Sequence, residues 1–234
     1  IGRLTAGAFA EFGSGNYDTF NGFASGDVRG HGNSHYVGGG LLGHQDFRPM
    51  GPGHAYAEGS ARIGLAHNSY SSADLTSGGV AAGYETSSPY YGLSAAVGYV
   101  WEAGEAVTVD VSGRYIWSRL GADSTTLSTG ETVDFAAVTS ERSRLGVRVS
   151  YALSDTVTPY AGAAWEHEFD GKARASTYGY DIKAPSLRGD TGIGELGLTF
   201  TPSQTLPLSF DLGVQGYVGK REGVTGSMQA KYEF

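Results

Sequence analysis

Cysteine is absent from the 234 residues, so the chain has no disulfide framework, no thiolate nucleophile and no cysteine-ligated metal. Charge is sparse as well: 17% of residues are Asp, Glu, Lys or Arg, against a usual ~25%. Acidic side chains outnumber basic ones 24 to 16, leaving a net charge of -8 that argues against an electrostatic grip on nucleic acid phosphates. Proline numbers only 7, and the 38 glycines follow no Gly-X-Y period, so collagen and low-complexity disorder are both excluded. Long apolar runs are missing too. Even counting its glycine, the run from Ala95 to Trp101 falls far short of the ~20 residues of a membrane-spanning helix. A helical membrane protein is therefore excluded.

What is present is packing material, with aromatics at 12%, too many for a disordered chain. It is arranged with a period of two. At the end of the chain Val224, Gly226, Met228, Ala230, Tyr232 and Phe234 alternate with Thr225, Ser227, Gln229, Lys231 and Glu233. Alternation of this kind marks a β-strand, and this one outruns the ~5–6 residue strand of an ordinary sheet. Leu145, Val147 and Val149 likewise alternate with Arg144, Arg148 and Ser150; Tyr91, Leu93, Ala95, Val97, Tyr99 and Trp101 form another apolar row.

Carried along the chain, the template predicts ten strands near residues 2–13, 34–47, 54–67, 89–102, 106–119, 141–152, 157–169, 190–201, 207–219 and 223–234. Strands two, four, six and eight are followed by short turns. Strands one, three, five and seven are followed by polar loops of about twenty residues. An all-β fold with short turns on one rim and long loops on the other describes an up-and-down antiparallel transmembrane β-barrel.

In a membrane barrel the charges belong inside. The polar faces carry Glu58, Arg62, Asp110, Arg114, Arg142, Arg144, Arg148, Glu166, Glu168, Glu195, Asp211 and Lys231 in near balance of sign. Eight of these are expected to form a lumen-facing charge network: Glu58, Arg62, Asp110, Arg114, Arg144, Arg148, Glu166 and Glu195. Glu168, nearer the rim, is expected to be solvated. Aromatics on the apolar faces, among them Phe12, Trp101, Trp165, Phe200, Tyr232 and Phe234, fall near strand ends, where an interfacial girdle belongs. Glycines inside strands, such as Gly38, Gly197 and Gly213, are read as bare backbone across which aromatics lie, more than as room for a threading chain.

From Tyr90 to Phe234 the sequence resembles the C-terminal translocator barrel of autotransporters, the type V secretion family. The stretches that carry this are YYGLSAAVGYVW, STGETVDF, SERSRLGVRVSYA, TPYAGAAWEHEFDGKA, SLRGDTGIGELGLTFTPS and PLSFDLGVQGYVGKREGVTGSMQAKYEF; LTAGAFAEFGSGNYDT matches more loosely. The resemblance implies a twelve-strand barrel in the outer membrane that exports an N-terminal passenger through its lumen. Its partners would be outer-membrane lipid, the passenger, periplasmic chaperones and the barrel-assembly machinery, the last reading Tyr232 and Phe234 as a C-terminal signal. With ten strands in sight and Ile1 in place of a methionine, residues 1–234 are expected to be one translocator domain lacking passenger, pore helix and two strands.

The alternatives are a porin-like channel and an outer-membrane hydrolase. The six histidines, His31, His35, His44, His54, His67 and His167, form no helical metal pair and sit in no Gly-x-Ser-x-Gly motif. No catalytic residue, cofactor or metal ligand is expected. A hydrolase would need loop residues such as His31 and Asp123 to meet on one rim.

Overall fold

The computed structural model describes residues 2–23, 26–182, 185–203 and 207–232. Ten long strands make one antiparallel sheet: β1 (Leu4–Phe23), β2 (Gly26–Asp46), β3 (Gly53–Ser77), β4 (Val80–Glu102), β5 (Val107–Leu120), β8 (Val138–Tyr151), β9 (Val157–Glu168), β12 (Gly189–Phe200), β13 (Leu208–Gly219) and β14 (Gly223–Tyr232). Each pairs with its predecessor in that order, the up-and-down topology expected from the alternation. Among the described residues β1 pairs only with β2 and β14 only with β13, so the curled sheet is open at these two edges.

The long connections also differ from expectation. The sequence predicts loops there because the apolar half of the alternation stops, but the backbone goes on pairing after the side chains turn polar. β1 and β2 stay in register out to Phe23 and Gly26, and β3 and β4 out to Ser77 and Val80. The connections after β5 and β9 contain β6 (Asp123–Thr126), β7 (Thr132–Phe135), β10 (Ala175–Thr177) and β11 (Tyr180–Ile182), a second sheet in the order β11-β10-β7-β6. It grips the main sheet where β6 runs on beside β4: Ser128 N–H donates to Gly83 O (2.9 Å), and Gly121 N–H to Pro89 O (2.7 Å). Rings pack this junction, with Tyr70 on Tyr84 at 5.7 Å and Tyr84 on Phe135 at 5.2 Å between centroids. Burial and the adjacent Tyr17 hydroxyl push the hydroxyl of Tyr84, above the apolar band, up to about 12.

The two faces of the main sheet are chemically opposite. One presents Phe12, Leu41, Val97, Leu196, Val214 and Met228 outward, the extremes being Phe12 at 88% exposed and Met228 at 79%. Among the described residues the buried apolar side chains are only Tyr56, Ala82, Ala96, Val133, Tyr160 and Ile193. A sheet in water would bury its apolar face; this one turns it out along 9–11 residues per strand, Leu4 to Phe12 and Tyr91 to Trp101, the length of a transmembrane β-strand. Trp101, Trp165, Phe169, Phe200 and Tyr232 sit exposed near the ends of that band, as a girdle requires, while Trp117 is half-buried.

On the other face, long side chains lie flat across neighbouring strands. Tyr160 faces Gly197 on β12, which faces Gly213 on β13, and the ring crosses both to donate to Asp211 (2.9 Å). Tyr90 crosses Gly64 and Gly38 in the same way and donates to Glu11 on β1 (2.6 Å). A Cβ on Gly197 would stand 2.2 Å from the Tyr160 ring, whereas one on Gly194, on the apolar face, meets nothing within 4 Å. Gly197→Val should therefore destabilise the folded chain in detergent by about 1–3 kcal/mol through overpacking. Gly194→Val should leave the thermal melt of its β-sheet circular dichroism unchanged. Equal melting of the two variants would show that Tyr160 does not depend on the bare backbone.

Candidate functional site: a charge-paired wall

Because side chains two apart share a face, the register collects the charges of six strands into rows. One row runs Glu58, Ala96, Arg114, Arg144, Glu166, Thr191 from β3 to β12. Its two adjacent arginines turn apart. Arg114 reaches over the small Ala96 to Glu58 (2.8 Å), and Arg144 donates through Nε and Nη2 to Glu166 (3.0 and 2.7 Å). Two rows further along the same face run Asp110, Arg148, Gly162, Glu195, Gln215. Here Arg148 crosses Gly162 and grips Glu195 with two parallel hydrogen bonds (2.7 and 3.1 Å), the fork that suits guanidinium to carboxylate. Gln215 donates to the same carboxylate, and Tyr56 donates to Asp110 (3.0 Å). Arg62 lies 3.4 Å from Glu11.

Glu166 is the most enclosed member, 1% exposed, and it draws in three arginines. Besides Arg144 these are Arg221, whose Nη1 donates to Glu166 Oε1 at 2.5 Å, and Arg142 at 3.7 Å. Arg142 also stands 3.8 Å from Glu168, and its Nε is buried with no hydrogen-bond partner among the described residues. Glu168, expected to be solvated, is buried instead: it accepts from Ser140 Oγ and from the backbone N–H groups of Glu141 and Asp170. The strand pairing explains this, since β8 runs on past Arg142 and covers it.

Arg221 was not among the expected network residues. It belongs to the three-residue turn between β13 and β14, outside the strand alternation, and stacks on Tyr217 while reaching inward. Glu11 was missed because its partner Tyr90 lies three strands away. Of the expected assembly signal, Tyr232 ends β14 at the short-turn end with its ring exposed; Phe234 lies outside the described residues.

The histidines take local partners. His31 Nδ1 lies 2.8 Å from Asp18, whereas Asp123 accepts from the N–H of Ser87, so the two loop residues a hydrolase would have used are not brought together. His44 and His54 both face Asp46 (3.0 and 3.4 Å), and His167 faces Asp190 (2.8 Å). No group of three or more His, Asp or Glu residues is placed to hold a metal among the described residues.

An antiparallel sheet apolar on one face and charge-paired on the other is the wall of an outer-membrane type of β-barrel. The chain belongs to the autotransporter beta-domain family, whose profile matches residues 1–213. In structure it is similar to the transport unit of the autotransporter AIDA-I from Escherichia coli, with a TM-score of 0.73 at 17% identity over 99% of this chain and 76% of that one. It is also similar to the beta domain of the Bordetella autotransporter BrkA, with a TM-score of 0.58 at 17% identity over 98% and 92% of the two chains. A third similar structure is the translocator domain of NalP from Neisseria meningitidis, with a TM-score of 0.60 at 16% identity over 99% and 88%. No curated protein matches the sequence.

Removing the charge of Glu166 leaves Arg142, Arg144 and Arg221 facing one another. Glu166→Gln should cost about 3 kcal/mol or more, the penalty for breaking a buried ion pair. Glu195→Gln, whose partner Arg148 is 42% exposed, should cost about 1 kcal/mol. Denaturant titration in detergent micelles measures both, and equal losses would show that Glu166 is no more critical than a solvated pair.

Proposed function

We propose that this chain is the outer-membrane translocator of an autotransporter, and that the charge-paired face lines the lumen through which the passenger reaches the cell surface. The observation that carries this reading is the family match over residues 1–213, joined to the outward apolar band. A wall of this kind suits the passage of varied polypeptide, since every named carboxylate already holds a basic or hydroxyl partner and offers a passing chain no strong anchor. The short-turn rim, where β14 ends, would face the periplasm, and the long hairpins with the second sheet would stand outside the cell.

The open edges belong to the same reading. A strand edge in hydrocarbon leaves backbone groups unpaired at several kcal/mol each, so β1 and β14 call for closure. Two further strands between them, as the resemblance implies, would complete a ring of twelve. Lipid would cover the band, and the passenger would be joined ahead of the chain. Periplasmic chaperones and the barrel-assembly machinery would deliver it, with Tyr232 and Phe234 captured at a strand edge.

The test uses the full-length precursor in cells. Protease added outside should remove the passenger from intact cells that carry the wild-type precursor. A precursor lacking Phe234 should stay in the periplasm and be degraded, even though its barrel refolds in detergent. A passenger that remains shielded in the wild type would refute the translocator, and normal surface levels without Phe234 would refute the capture signal alone.

A further inference from the structure

Immediately above the apolar band, on the outward face of β2, β3 and β4, the chain forms a polar cleft of about 450 Å³, a size suited to a small ligand. The register defines its floor. Phe12, Val37, Leu65 and Pro89 form the last apolar row on that face, and the next row on the same face is Ser14, His35, His67, Ser87. The two imidazoles stack on each other, centroids 4.9 Å apart and planes 26° from parallel. Ser69 and Glu85 pair in the row above. The far wall is Asp123, fixed in place because its Oδ2 accepts from Ser87 N–H (2.9 Å) and its Oδ1 from Ser124 N–H (2.8 Å). The wall-forming segment is held again where Thr125 Oγ1 donates to Glu85 O (3.1 Å). None of this takes part in the charge-paired wall, which lies on the opposite face.

The chemistry narrows the ligand. Two carboxylates and no lysine or arginine line the cleft, a repulsive field for phosphate, which is bound by guanidinium or ammonium groups. Its histidines and carboxylates are not placed as a metal ligand set among the described residues. Carboxylates, hydroxyls and imidazole nitrogens instead suit a neutral sugar, whose hydroxyls donate to the carboxylates and exchange hydrogen bonds with the serines and imidazoles. The apolar row directly beneath supplies a place for an attached acyl chain. We propose that this cleft binds the uncharged sugar headgroup of a membrane glycolipid, with the lipid tail laid along Val37 and Leu65.

The inference requires only that the apolar band lie in a bilayer, and it stands apart from passenger export. The full chain, with 15N-labelled histidine, is placed in phosphatidylcholine nanodiscs containing increasing digalactosyl diacylglycerol, and the imidazole resonances of His35 and His67 are followed, assigned through His35→Gln and His67→Gln. Saturable shifts of both are expected with the glycolipid, while His167 stays unmoved. Glu85→Ala, an exposed change, should raise the half-saturating glycolipid fraction at least tenfold with the melting temperature unchanged. Equal shifts from free galactobiose around nanodiscs of phosphatidylcholine alone would make the ligand a soluble glycan, and equal shifts from phosphatidylglycerol would make it a phosphate; either result overturns the proposal. Absence of any shift, or a Glu85→Ala variant that saturates like the wild type, overturns it too.

Discussion

A backbone in hydrocarbon has no water to bond with, so each N–H and C=O must find its partner within the protein. In this chain that constraint is met, everywhere but at the outer edges of β1 and β14, by ten strands paired in sequence order, and the rest of the structure follows from the pairing. Once strands lie edge to edge, alternate residues are forced onto opposite faces. A sequence that alternates Leu145, Val147 and Val149 with Arg144, Gly146 and Arg148 then separates lipid chemistry from charge chemistry without any layered core.

The charged face has its own packing rule. Coiling the sheet brings its concave side chains close, and a face made only of large residues would clash. Small residues resolve this at the crossing points: Ala96 beneath Arg114, Gly162 beneath Arg148, Gly197 and Gly213 beneath Tyr160. These small residues, among them glycines that would weaken an isolated strand, thus permit contacts that tie β3 to β5, β8 to β12 and β9 to β13. Each such bridge spans one intervening strand, so the curl of the sheet and the pairing of its charges support each other.

Much of this could be read from the alternation. The ten strands, their order and their chemically opposite faces follow from the period of two, and the partners Arg144 with Glu166 and Arg148 with Glu195 lie on strands adjacent or next but one. What was hidden has physical reasons. The hairpins above the band continue with the outward face turned polar, as at Ser14, Asn16 and Asp18, so pairing goes on where the side-chain signal ends. Arg221 acts from a turn, where no period exists. The burial of Glu168 depends on neighbours from β8 and the following loop, and the open edges at β1 and β14 are a property of the whole sheet that no local pattern carries.

The central claim is the direction of the two faces, and adjacent residues on one strand test it. A nitroxide introduced at Val147, and separately at Arg148, in the barrel reconstituted in lipid bilayers reports collision with dissolved oxygen, which concentrates in the hydrocarbon, and with a water-soluble nickel chelate. The account predicts oxygen-dominated relaxation at 147 and chelate-dominated relaxation at 148. Chelate access at 147 with oxygen access at 148 would mean that the charged face meets lipid, and would contradict it.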